Sequence, residues 1–179
     1  LNDKGLDEFY SSDYYNIYGR HKKEEIDEAC VKRKKLVAKG ILDQVAKLDK
    51  SENCRLLDIG CGHGFLLQQA IARGYKAAGV EASQKEARSL QAKGYDVFAG
   101  AFHDYEIETE LNYDIITLSH VLEHVSSPQD YLLKIKRSLH EDGILAVAVP
   151  NTPWHTFLGT HPVSAHTAHI YYFSPRTLK

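Results

Sequence analysis

Arg55-Leu-Leu-Asp-Ile-Gly-Cys-Gly-His-Gly64 is the stretch that decides the fold. Leu56, Leu57 and Ile59 make a short apolar run that carries one acid, Asp58. Glycines then alternate at Gly60, Gly62 and Gly64, and a helical apolar pattern starts at Phe65. The physical reading is a buried strand, a turn without side chains, and a helix N-terminus aimed at whatever occupies the turn. Glycine accepts positive φ and lets a ligand approach the backbone, so this turn is the first place to look for a cofactor.

On either side the chain alternates helices with apolar strands. From Lys22 to about Asp49, apolar residues at Ile26, Cys30, Val37, Ile41, Val45 and Leu48 predict an amphipathic helix, weakened at Gly40, that covers the sheet. After the glycines a helix runs from Phe65 to Arg73, and strands follow at about Tyr75–Glu81 and Tyr95–Phe98. Between those strands Ser83-Gln-Lys-Glu86 reads as a capping box, with Gly94 as the helix stop. Ala72-Arg-Gly-Tyr75 and Ala92-Lys-Gly-Tyr95 repeat one helix-to-strand joint. A fourth strand, Tyr113–Ser119, leads to a helix capped by Ser127 with Pro128 at its first position, running to about Leu139. The Glu141-Asp-Gly143 turn then delivers a fifth strand, Ile144–Val149, closed by Pro150. Helices between apolar strands imply right-handed crossovers and a parallel sheet covered on both faces.

At 179 residues the chain is one domain with a sizeable core, divided into an N-terminal helical segment (1–50) and a cofactor-binding core (51–179). A net charge of -2 excludes a global basic footprint for nucleic acid, and Lys32-Arg33-Lys34-Lys35 reads as a solvated helix face. No apolar stretch reaches the roughly 18 residues that a membrane helix needs. Three cysteines without a C-x-x-C pair fit free thiols and a cytoplasmic setting. The chain starts at Leu1 without any methionine and therefore reads as a piece of a longer protein. Phe9, Tyr10, Tyr14, Tyr15 and Tyr18 in residues 1–21 read as rings packed on the surface, with a lid over a ligand as the functional alternative.

Two cofactor classes use a glycine turn after a first strand. A dinucleotide fingerprint, G-x-G-x-x-G, would need its third glycine where Phe65 stands. Leu57-Asp-Ile-Gly-Cys-Gly-His-Gly64 instead resembles the first motif of class I S-adenosylmethionine-dependent methyltransferases. Glu81 closes the second strand 21 positions after Gly60, and in that family such an acid accepts hydrogen bonds from both ribose hydroxyls. Tyr113–Val125, Leu139–Asn151 and His169-Ile-Tyr-Tyr-Phe-Ser-Pro175 look like later family segments. Together they resemble the branch with ubiquinone-biosynthesis O-methyltransferases and sugar or polysaccharide methyltransferases.

The resemblance implies an α/β, Rossmann-like, doubly wound and mostly parallel sheet. It also implies a strand hairpin after the fifth strand, of which residues 151–179 give no sign. It assigns the cofactor, with S-adenosyl-L-homocysteine as product, to Asp58, Gly60, Cys61, Gly62, Glu81 and Ala82. Ala101 and Phe102 would flank the adenine, with Phe102 equally readable as core and Asp104 as the nearest acid. Ser119 and His120 would line the methionine end, and Arg33 would meet the cofactor carboxylate.

For the acceptor it points to Asn151, Trp154 and His169. Ubiquinone-type relatives carry Glu-x-x-Glu-His after the fourth strand and can hold a divalent ion there. This chain has His120-x-x-Glu123-His124, so the first acid is replaced. A His-Glu-His set can still bind metal, but the favoured reading is that Glu123 and His124 buttress the loop and that no metal is used. His120 or His124 is then the candidate base or orienter. The tail histidines, His155, His161, His166 and His169, fit no standard zinc spacing. The expected function is methyl transfer to a small-molecule acceptor, an O-methylation of a sugar or aromatic intermediate. The rivals are a cofactor-binding pseudo-methyltransferase or regulatory domain and, less favoured, an NAD-dependent oxidoreductase.

Overall fold

The computed structural model describes residues 27–48, 53–106, 112–150 and 169–178. The elements, in order, are α1 (Glu28–Leu48), β1 (Arg55–Ile59), α2 (Phe65–Ala72), β2 (Lys76–Glu81), α3 (Gln84–Gln91), β3 (Val97–Ala99), β4 (Tyr113–Ser119), α4 (Pro128–Ser138) and β5 (Leu139–Ala148). All five strands are parallel, in the order β3-β2-β1-β4-β5. The chain winds outward from β1 to β3, then returns to the other side of β1 with β4. The reversal opens a crevice at the C-terminal ends of β1 and β4, where ligands bind in doubly wound sheets.

Alternate strand residues serve two cores. Leu56 and Ile115 face α1 and α2, in a cluster with Ala38, Leu42, Val45, Leu66 and Ala70. Leu57, Ile59, Ile116 and Leu118 point the other way, onto Ile135 of α4 and onto Phe102. A third cluster, Cys61, Leu67, Ala87, Leu90 and Val97, joins α2 and α3 to the sheet. Gly79 is the close-approach point of that cluster, since a Cβ there would lie 2.8 Å from Cys61 Sγ and 2.9 Å from Leu67 Cδ1.

β3 starts two residues later than its apolar run suggests, at Val97, and ends at Ala99; beyond such shifts at element ends, sequence and structure differ at two elements. The buried stripe of α1 is Ala38, Leu42 and Val45, whereas Val37 and Leu48, both assigned to the inner face from spacing, are exposed. Two apolar stripes overlap on this helix, and contact with α2 and β5 selects the one led by Ala38. Gly40 is exposed, and a Cβ on it would meet nothing within 4 Å. Gly40→Ala is therefore expected to stabilise the fold by about 0.5–1 kcal/mol, read as a raised urea midpoint at unchanged slope.

The second difference is at residues 139–144. The Glu141-Asp-Gly143 turn lies inside β5 as an irregularity, because Tyr113 pairs with Leu139 and the next pair is Ile115 with Ile144. α4 passes straight into β5, so the residues that looked like a connection are looped out of the ladder. The repeated joint does form twice. Gly74 and Gly94 take φ of 89° and 85°, and the N–H of Tyr75 and of Tyr95 bonds back to Ala70 and Leu90. Each is a Schellman stop, which explains why the same four-residue pattern recurs.

Candidate functional site

The glycine turn is built as the sequence requires. Gly60, Gly62 and Gly64 have φ of 73°, 54° and 74°, values that L side chains rarely adopt. The N–H groups of Gly60 and Cys61 both donate to Val80 O, at 2.8 and 3.1 Å, tying the turn to the end of β2. Glu81, buried at that end, receives the Gly62 N–H on Oε2 at 2.7 Å and the Ser83 N–H on Oε1 at 2.8 Å. Burial pushes its carboxyl above the usual range, and the two backbone donors pull it partly back. The capping box at α3 is consequently half-made. Ser83 accepts from the Glu86 N–H, but Glu81 takes the Ser83 N–H that Glu86 would otherwise receive.

Glu86 turns instead to the turn itself, with its Oε2 2.6 Å from His63 Nδ1. Burial lowers the His63 pKa, and the facing Glu86 charge opposes that. Lys34 of α1 is the cation whose charge reaches both Glu81 and His63, while Arg33 stands exposed on the same helix. Asp58 is buried beneath the turn, where Thr117 Oγ1 donates to its Oδ1 at 2.7 Å. Burial pushes its carboxyl up to about 7, partly offset by the Thr117 bond, and the Glu81 charge adds to the rise. The Cys61 side chain belongs to the core, so only its backbone belongs to the turn.

The loop after β4 lies directly on the turn, since a Cβ at Gly60 would sit 2.5 Å from Val121 Cγ2. Ser119 ends β4 half-buried, and His120 follows with φ 58°, its N–H donating to Ala148 O at 2.8 Å. A non-glycine residue in the left-handed region costs on the order of 1 kcal/mol, and such strain concentrates at functional sites. The His120 ring is 57% exposed, with Nδ1 3.2 Å from Glu123 Oε1. A carboxylate only accepts, so Nδ1 carries the proton and Nε2 is left to take one.

Glu123 itself is 1% exposed. Burial would raise its carboxyl, yet the His120 hydrogen bond and the neighbouring histidines hold it below the usual range. Its Oε2 has no hydrogen-bond partner among the described residues, a situation that ordinarily costs about 1–3 kcal/mol. The buried His124 ring meets His169 edge-to-face at 4.8 Å between centroids. The tail is held here by two bonds to the Glu123 carbonyl, from the Ile170 N–H at 2.8 Å and the Tyr171 N–H at 3.1 Å.

Both implied non-protein groups fit these residues. The cofactor finds a buried bidentate carboxylate, a glycine cradle and the N-terminus of α2. A divalent ion finds the carboxylate oxygen of Glu123 that lacks a partner. Of the other residues singled out, Ala82 and Ala101 are half-buried beside the site. Phe102 is core: its ring packs on Tyr131 at 5.0 Å, and its carbonyl accepts from Lys134 Nζ at 2.7 Å. Asp104 is exposed and pairs with His103 at 3.1 Å. Asn151 and Trp154 lie outside the described residues, as does the 1–21 lid. His63, Glu86, Lys34 and Thr117 were not found from sequence. Glu86 did carry a signal, but as a helix cap.

A profile of the family described as "Methyltransferase domain" matches residues 31–179. Among curated proteins, the ubiquinone biosynthesis O-methyltransferase of Rickettsia akari (strain Hartford) is 27% identical over 100 residues, covering 54% of this chain and 40% of that protein. The chain spans less than half the length of the curated relatives it matches. Among solved structures, magnesium protoporphyrin IX methyltransferase from Synechocystis PCC 6803 matches with a TM-score of 0.70 at 14% identity, over 99% of this chain and 85% of that one. The sugar N-methyltransferase KedS8 from Streptoalloteichus matches with a TM-score of 0.58 at 18% identity, over 82% and 56%. At these identities the structural likeness speaks to the fold.

Proposed function

The chain belongs to the methyltransferase-domain family, in its class I S-adenosylmethionine-dependent form, and on that premise we propose that it methylates a hydroxyl of a small sugar or aromatic acceptor. The observation that carries this reading is the His120–Glu123 pair standing on the glycine turn, 3.2 Å between Nδ1 and Oε1. The cofactor, when bound, supplies an electrophilic methyl for in-line displacement. The protein then has to hold the acceptor in line and take its proton, and alignment alone can be worth several kcal/mol. Glu81 and the Gly60–Gly64 backbone hold the adenosyl end, Asp58 and Ser119 line the methionine end, and Arg33 or Lys34 supplies positive charge from α1. Glu123 fixes the His120 ring through Nδ1, which leaves Nε2 to accept the hydroxyl proton. Acceptors named for the relatives differ, from ubiquinone precursors to a sugar amine, so the hydroxyl rests on the base and not on them.

Two measurements test this. Calorimetry is expected to show saturable S-adenosylhomocysteine binding and no NAD binding; the reverse result would establish the oxidoreductase. Transfer of labelled methyl to catechol-type or sugar acceptors is expected, with His120→Ala lowering kcat by about 100-fold or more while cofactor affinity holds. Near-normal turnover by that variant removes the base assignment. Cofactor binding without transfer to any acceptor favours the regulatory alternative.

A further inference from the structure

We propose that Glu123, His124 and His169 together form a binding site for a borderline divalent cation of the zinc or cobalt kind, in preference to magnesium. One ligand atom from each of the three residues falls within a common span of 4.8 Å. The cluster is not a consequence of local sequence, because His169 arrives from 45 positions beyond His124. What brings it there is Glu123, whose carbonyl receives the Ile170 and Tyr171 N–H groups. Tyr171 adds a second anchor by donating from its hydroxyl to Ser126 O at 3.0 Å. The residue that pins the tail is therefore the same residue whose side chain meets the tail's histidine.

The independent sign of a ligand is Glu123 Oε2. It is buried, and it has no hydrogen-bond partner among the described residues, while Oε1 is engaged by His120. A buried carboxylate oxygen in that state calls for a partner, and with two imidazoles grouped beside it the set is that of a cation site. The donor set decides which one. Two imidazole nitrogens and one carboxylate oxygen suit zinc, cobalt and their neighbours, whereas magnesium and calcium prefer oxygen cages. Three protein ligands at the rim of the sheet leave a further position open to water or an acceptor oxygen. With metal–ligand bonds of about 2.0–2.2 Å in a tetrahedral arrangement, two donors on one ion stand about 3.3–3.6 Å apart, so a pair spanning the full 4.8 Å closes by about 1.2–1.5 Å when the ion binds.

His120 is outside the set. Its Nδ1 is used by Glu123 Oε1 and its ring is largely exposed. The replacement of the first acid in the Glu-x-x-Glu-His pattern is thus compensated by a tail histidine and not by the histidine that took its place. That exchange moves the site from oxygen-rich to nitrogen-rich, and with it the preferred ion. The inference does not depend on the methyl-transfer reading, since it concerns binding by residues that need no cofactor.

The test is direct. The full chain, tag-free and stripped with chelator, is titrated with Co²⁺ and followed by visible d–d absorption and by calorimetry, then challenged with Zn²⁺ and with Mg²⁺. Expected are one Co²⁺ per chain, displacement by Zn²⁺ and none by millimolar Mg²⁺. His169→Ala is expected to weaken Co²⁺ at least tenfold and change the absorption, and Glu123→Gln likewise. His140→Ala, which removes an exposed histidine of β5, should leave both unchanged. Circular dichroism and S-adenosylhomocysteine binding confirm that each variant is folded. Should Glu123→Gln unfold, His169→Ala carries the test, because the rest of the Glu123 contacts remain. Absence of saturable binding overturns the proposal. So does Co²⁺ binding that His169→Ala leaves intact and His120→Ala destroys, which would place the ion on the local His-Glu-His set.

Discussion

Glu81→Ala is expected to weaken S-adenosylhomocysteine binding by about 100- to 1,000-fold while leaving the protein folded. The magnitude follows from what the carboxylate does under the proposed reading. It accepts two ribose hydroxyls, and a hydrogen bond to a charged group is worth about 1.5–3 kcal/mol, so losing both removes about 3–4 kcal/mol after partial compensation by water. The variant also releases the Gly62 and Ser83 N–H groups that the carboxylate now holds at 2.7 and 2.8 Å, which loosens the cradle. Glu81→Gln separates these effects. It keeps the shape and one acceptor oxygen but sets an NH₂ against one backbone donor. Binding should fall by about tenfold to 100-fold. Its stability should fall by less than the clash of two donors alone would cost, because the burial that raises the Glu81 carboxyl is a cost of holding the charge, and glutamine is uncharged. Calorimetry at pH 7.5 gives the affinity and urea unfolding without cofactor gives the stability. A Glu81→Ala protein that binds within threefold of wild type would take the ribose contact away from this residue, and with it the strongest reason for reading the turn as an adenosyl site.

How far the chain could be read from its letters depends on how local each feature is. β1 and β4 were bounded to the residue, at Arg55–Ile59 and Tyr113–Ser119, because strands buried on both faces read as apolar runs and each ends in a polar or glycine break. The Schellman stops at Gly74 and Gly94 were legible for the same reason: a positive φ at one position writes itself as glycine. The glycine register with Glu81 was legible too, since the turn and the β2 end are joined by a bond between neighbouring strands. What escaped was set by contacts between distant residues. No period announces that Glu86 leaves its helix cap for His63, 23 positions back. The inner face of α1 is legible only in part: Ile41 and Val45 pack on the core as the spacing predicts, but two apolar stripes fit that spacing and only the packing partner excludes Val37 and Leu48. Glu141-Asp-Gly143 has the composition of a turn, but β5 runs through it as an irregularity in the ladder, which only the pairing with β4 reveals. Tail spacing alone argued against a metal, whereas the ligand-capable cluster draws one residue from the tail and two from the β4 loop.

Asp58→Asn is expected to raise the unfolding free energy at neutral pH and above, and to change it by less than about 1 kcal/mol near pH 4. The Asp58 carboxyl sits at about 7 in the folded protein against 3.8 when unconstrained, chiefly through burial. Below about pH 3 the group is protonated in both states and contributes nothing to the pH dependence. Between about 4 and 7 the unfolded chain has given up the proton and the folded one still holds it, so the folded state binds more protons and stability falls as pH rises. At about 1.36 kcal/mol per unit, the full loss is on the order of 4 kcal/mol, reached above pH 7. Asparagine removes the ionisable charge and keeps an oxygen to accept from Thr117 Oγ1, so the contact at 2.7 Å survives. Urea unfolding of both proteins from pH 4 to pH 8, without cofactor, should therefore give curves that coincide in acid and separate steadily toward pH 8. Part of the downward slope persists in Asp58→Asn, because Glu81 is shifted in the same direction. Parallel curves across the range would mean that Asp58 ionises without penalty. A buried acid that weakens the fold at the pH where it is charged calls for a cation in the bound state, and the amino group of the cofactor is the one the reading supplies. Saturating S-adenosylhomocysteine should then narrow the gap between wild type and Asp58→Asn at pH 8, and a gap that stays as wide would separate Asp58 from the cofactor.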